Sequence, residues 1–148
     1  MFHELNVESI RAFYDRWSTT VFRFCDLLLG DRDRSEKATE VAFLTFYRAG
    51  PDLDLQVLPT ALLRHALKAT RSVVDRPNGP VQDLRSAILH LPFEERSVFI
   101  LRSVLDFDFG SIAGITGCGE AQVKRIWFQA LMQLREFLPV TFFRERSR

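Results

Sequence analysis

Apolar residues recur at intervals of three and four through most of this chain, and no stretch alternates over a useful length as a strand would. From Glu8 to Leu29 they fall at Ile10, Phe13, Trp17, Val21, Phe24 and Leu28, which predicts an amphipathic helix ended by Gly30. Asp33 followed by Glu36 resembles a capping box and opens a second helix to about Ala49, with Val41, Ala42, Leu44 and Phe46 inward. Gly50-Pro51 stops it, and a polar loop runs to about Gln56. A third helix is predicted from about Pro59 to Asp75, with Leu62, Ala66, Ala69 and Val73 on one side. Arg64, Lys68 and Arg71 recur at intervals of four and three on the other. Residues 76–83, RPNGPVQD, hold two prolines and an Asn-Gly pair that no helix crosses intact, and this is the expected domain boundary.

Beyond the boundary, Leu84 to His90 reads as a short helix. Pro92 to Val104 reads as another, with Val98, Leu101 and Val104 inward. Asp106-Phe107-Asp108 is a turn whose aspartates read as caps. Phe109 to Leu131 then has the spacing of a helix-turn-helix. Ala113 sits where two helices cross closely, and Gly117, four positions on, supplies the left-handed backbone that ends the first helix. Val123 and Ile126, six and nine residues after that glycine, pin a second helix from Glu120 to about Leu138 onto the first. In this motif the second helix usually enters the DNA major groove. Trp127 and Phe128 are adjacent, so one is core and the other faces outward, with Met132 nearby. The expected fold is all-α: a three-helix domain over residues 1–76, a linker at 77–83, a four-helix domain over 84–140 and a basic tail at 141–148.

Composition narrows the function. Hydrophobic residues are 47% of the 148, with fourteen phenylalanines, enough for real cores. No apolar run is long enough to insert in a membrane, and the N-terminus has no secretory pattern. Cys25 and Cys118 lie in unrelated contexts, so no disulfide is expected and a reducing cytoplasm fits best. His3, His65 and His90 have no metal-ligand spacing; neither a metal, a cofactor nor a catalytic residue is expected. The net charge is only +1, low for a protein held on DNA by charge alone. The basic residues are concentrated, though. Arg64, Lys68, Arg71 and Arg76 stand against Asp75 alone, while Asp31, Asp33, Glu36, Glu40, Asp52 and Asp54 crowd the first half.

With both modules placed, the chain resembles the sigma-70 family of RNA polymerase sigma factors, in its small extracytoplasmic-function group. FYDRWSTTVFRFCDLLLGDRDRSEKATEVAFLTFYRA resembles the paired helices of sigma region 2, and LLRHALKATRSVVDR its promoter-melting segment. LHLPFEERSVFILR resembles the Leu-Pro opening of region 4, and SIAGITGCGEAQVKRIWFQALMQLRE its helix-turn-helix. The match runs from about Ile10 to Leu138.

The resemblance implies a cytoplasmic, non-enzymatic protein that binds core RNA polymerase and promoter DNA, commonly with an anti-sigma partner. The second helix, at Glu36, Lys37, Glu40, Phe43 and Tyr47, would dock on the polymerase clamp. Arg64, Lys68, Arg71 and Arg76 would hold phosphates of the opening strand, with bases captured near the loop Asp52 to Leu58. Gln122, Lys124, Arg125 and Gln129 would meet the upstream promoter element. The chain also departs from the family. Where an Asp-Ala-x-Asp-x-x-Gln docking pattern is favoured, Lys37 replaces an acid and Glu40 the glutamine. Ala61 replaces an aromatic, Ser111 an acid, and Ile126 stands where a basic residue is common. Only seven residues join the modules, a reach of at most ~25 Å. These departures support an alternative: a sigma-like interaction module with little DNA reading, occupying a sigma partner or held closed by its short join. A plain helix-turn-helix repressor leaves the first 76 residues unexplained.

Overall fold

A computed structural model describes residues 7–50, 58–75, 77 and 79–138. Among these residues there are seven α-helices and no strand. They are α1 (Val7–Leu29), α2 (Arg32–Arg48), α3 (Leu58–Arg71), α4 (Leu84–Leu89), α5 (Phe93–Phe99), α6 (Phe109–Thr116) and α7 (Glu120–Phe137), with a π-helical turn, Ile100–Val104, extending α5. The all-α expectation holds. No described helix is long and apolar enough to cross a membrane.

The helix termini follow local chemistry, with one correction. α2 opens at Asp31, not Asp33: Gly30 turns the chain at φ +68, Asp31 is extended, and its carboxylate accepts from the Arg34 amide. Asp83 and Asp108 cap α4 and α6 by accepting from the amides of Ser86 and Ser111. Asp106 is instead a left-handed turn residue, φ 64. Gly117 ends α6 at φ 80, and its amide donates to the Ala113 carbonyl at 2.9 Å, as its position in the motif predicts.

α3 is shorter than its apolar pattern suggests. The helix ends at Arg71, leaving Val73 outside it and 42% exposed, not inward. The Ser72 hydroxyl turns back to the Ala69 carbonyl at 2.9 Å, and Arg34 holds the following segment through the Val73 carbonyl and the Asp75 carboxylate. Leu44, expected inward, is exposed, and Phe43 is buried in its place. Phe13 stacks on Phe46 at 5.2 Å, and Phe43 and Tyr47 meet Phe13 edge-on, so the α1–α2 interface is largely aromatic.

α3 is buried on a wide arc, Leu62, Leu63, Ala66, Leu67 and Thr70, because it packs on both α2 and α6. A single cluster of buried apolar residues therefore runs from Phe13 to Leu138 across residues 77–83. The second half of the seam joins α1 to α4 and α5. Gly30 lies so close to Leu89 that a Cβ there would stand 2.7 Å from Leu89 Cδ1. Arg85 pairs with Asp26 at 3.0 Å. Arg96, 4% exposed, donates to the carbonyls of Leu28, Leu89 and Leu91 at 2.5, 2.8 and 3.0 Å. Its burial lowers the guanidinium pKa from its ordinary value.

Candidate nucleic-acid interface

In α7, Val123, Ile126, Ala130 and Leu134 point into the core, which leaves Gln122, Arg125 and Gln129 along an exposed face at intervals of three and four. Lys124 is exposed on its flank, its ammonium 5.7 Å from the Phe109 ring centroid. The four side chains expected to meet DNA thus share the outer surface of the second helix of the motif. Ile126 is buried, so the basic residue of this turn sits one position earlier, at Arg125. Trp127 fills the inward role foreseen for one of the aromatic pair: it is half-buried, edge-on to Phe109, and donates to the Ser103 hydroxyl at 3.0 Å. Phe128 faces out at 60% exposure with Met132 at 47%.

The basic face of α3 is arranged differently. Arg64, Lys68 and Arg71 are exposed and on one side of the helix, but they look towards the helix-turn-helix. Arg64 donates twice, through Nε and Nη2, to the Gly114 carbonyl of α6, at 3.1 and 2.8 Å. Arg71 lies 5.3 Å over the Phe93 ring at the start of α5. With Lys68 they border a cleft of about 250 Å³ whose far wall is Ile115, Thr116 and Gly117. His65, on the neighbouring turn, has its pKa lowered by burial and then by Lys68 and Arg64, and its ring meets Phe46 edge-on. Arg76 and the loop 52–57 lie outside the described residues.

On the far side of α2, a groove of about 640 Å³ runs between α1 and α2. Four of the five residues expected to dock on polymerase line it: Glu36 and Glu40 on the rim, with Phe43 and Tyr47 below. Lys37 is exposed but lies off the groove. The Tyr47 hydroxyl donates to the Ile10 carbonyl at 3.3 Å, and burial raises its pKa. Sequence reading missed the α1 wall, Tyr14, Ser18 and Phe22, although their spacing of four marks a second apolar-edged stripe. It also missed Leu44, whose outward position makes it part of the α2 wall of the same groove.

The helix-turn-helix half of the chain has a counterpart among known families: residues 82–134 match the family model for sigma-70, region 4. The second module is thus similar to sigma-70 region 4. Its overall fold agrees: the chain superposes on the sigma factor RpoE from Bartonella quintana, solved in complex with the anti-sigma factor NepR, with a TM-score of 0.68. That alignment covers 90% of this chain and 99% of RpoE at 19% identity. No curated protein sequence matches. The helical architecture of the described residues is thus that of this sigma factor's fold.

Proposed function

We propose that this sigma-family chain directs transcription initiation: it docks on core RNA polymerase through the α1–α2 groove and reads an upstream promoter element with α7. The observation that carries the reading is the undisturbed outer face of α7. Gln122, Arg125 and Gln129 line it, with Lys124 alongside, on the second helix of a family-matched region 4. Amides pair with adenine edges and guanidinium groups with guanine or phosphate, so this set suits a major groove. The groove between α1 and α2 supports the docking half, having an aromatic floor for apolar anchors and acidic rims for a basic partner. Domain limits of 1–76 and 84–140, joined by 77–83, and a cytoplasmic setting complete the reading.

A second reading, a sigma-like module that acts chiefly by binding proteins, is favoured by Phe128 and Met132. Their exposed apolar surface stands next to the reading face. An anti-sigma protein is a natural partner, since RpoE was solved with one. Capture of core polymerase by the purified chain, followed by run-off transcription on genomic fragments, separates the two. Capture with specific transcripts supports the sigma-factor reading; capture without transcripts supports the second.

A further inference from the structure

The α1–α2 groove has an open apolar floor and an acidic rim. Tyr14 and Leu44 are each 46% exposed in it, and the Tyr14 ring lies 4.8 Å from that of Phe43. On the rim, Glu36 is paired with Arg32 of its own helix at 3.2 Å, an exposed contact that another cation can replace. Glu40 has no ionic partner among the described residues. The two carboxylates are one turn apart, about 6 Å along α2. Such a surface suits a short segment that carries an aromatic anchor and arginines.

The chain carries a segment of that chemistry. Residues 139–148, PVTFFRERSR, lie outside the described residues and hold three arginines, two phenylalanines and one acid. Leu138 leaves α7 extended, at φ −107 and ψ 144, as a residue before proline favours. Drawn out from there, the segment would set Phe142, Arg144, Arg146 and Arg148 on one side and Glu145 on the other. Successive arginines would then stand about 6.6 Å apart, close to the rise between Glu36 and Glu40. The starting point is near the groove. The Phe137 ring stands 6.3 Å from that of His90, and Leu89 touches Gly30 in the α1–α2 turn. Glu36 is six residues, about 9 Å of helix, beyond Gly30. Ten extended residues reach about 33 Å.

We propose that this tail lies in the α1–α2 groove of its own chain, with Phe142 at the mouth by Phe22 and the arginines over Glu36 and Glu40. Tethering gives the tail an effective concentration of about 1 mM, so a contact of only about 0.1 mM affinity fills the groove roughly nine-tenths of the time. A polymerase that docks there must displace it, and its apparent affinity falls about tenfold. The inference rests on the reading of the groove as the polymerase-docking surface and adds a competitor built into the chain.

The full-length chain with Ser147→Cys and Cys118→Ser takes a nitroxide label on the tail, on the side away from the arginines. Cys25 stays unlabelled, because burial pushes its thiol up to about 12. In dilute solution the label is expected to broaden the amide resonances of Ser18, Phe22, Glu40 and Leu44. Arg144→Glu, Arg146→Glu and Arg148→Glu together should abolish that broadening and tighten core-polymerase capture about tenfold. Groove amides that stay sharp in the labelled chain overturn the proposal, and so does broadening that survives the charge reversal. Broadening seen only between a labelled and a separate isotope-enriched chain also overturns it, since the tail then occupies a second copy. Polymerase capture by a chain whose groove amides stay sharp leaves the docking reading standing without the tail. Broadening in a chain that captures no polymerase, with or without the reversal, supports the tail contact and overturns the docking reading instead.

Discussion

α3 and α7 carry the two basic faces of this molecule, and the fold treats them oppositely. Each has cationic side chains at helical spacing opposite an apolar stripe. On α7 the polar face looks out, because the core-facing residues Val123, Ile126, Ala130 and Leu134 form a single stripe. On α3 burial extends over both flanks, since α2 and α6 pack on it together, and the cations border a neighbouring module. Helical spacing therefore tells which side chains act together but not what they act on. A cation already engaged by a carbonyl of the neighbouring module, as Arg64 is, must leave that acceptor to meet a ligand.

The contrast can be broken most forcefully at Arg96, which ties the second module to the end of α1. Arg96→Met removes a buried cation and leaves three carbonyls without their donor, a loss of about 3 kcal/mol. Thermal denaturation should show a fall in melting temperature of roughly 6–12 °C. A melt unchanged within error would mean that the seam contributes little to the fold.

Reversing charge on α7 addresses the open face alone. Lys124→Glu with Arg125→Glu should weaken promoter binding in the polymerase complex on the order of 100-fold without shifting the melt. Retained promoter-dependent transcription would contradict the assignment of α7. With a net charge of +1, the free wild-type chain should bind promoter DNA weakly and lose that binding as salt rises.

Leu44→Asp touches neither basic face. An acid in the wall of the α1–α2 groove should reduce core-polymerase capture by about tenfold and leave nucleic-acid binding by α7 intact. Loss of duplex binding in that variant would show that the groove and α7 are not independent.

The smallest effect concerns the caps. Backbone hydrogen bonds from Ser86 and Ser111 hold Asp83 and Asp108 below their ordinary value of 3.8. Their contribution to stability is thus complete above that pH and is lost as pH falls through it towards the lower folded-state values. Asp108→Ala, which frees the start of the helix covering α3, should flatten the acid limb of a pH–melting curve and lower the neutral-pH melt slightly. An acid limb identical to wild type would remove the cap from the account.

Much of this molecule was legible along the chain. The helix-turn-helix was, because Gly117 needs a left-handed backbone and Val123 and Ile126 are one turn apart, both local requirements. The pairing of α1 with α2 was legible only through the resemblance to sigma region 2, since the inward stripe of α2 was read with Leu44 in the place of Phe43. The start of α2 was misread because two aspartates, Asp31 and Asp33, are both competent caps and only the turn at Gly30 selects the first. The end of α3 was misread because Val73 keeps the apolar period while Arg34, from another helix, holds the chain in a turn. Arg96 could not be assigned from spacing, since an arginine in a helix usually signals surface.

By itself the sequence determined most of the helices and the punctuation at residues 76–83, properties carried by contacts within four or five residues. Tertiary structure decided which of the two basic faces stays open. Arg64 meets its acceptor 50 positions along the chain and Arg96 meets one 68 positions away. Helical periodicity does not encode such partners. They follow from how the close approaches at Gly30 and Gly114 let the two modules settle against each other, which turns one predicted strand-binding face into a seam.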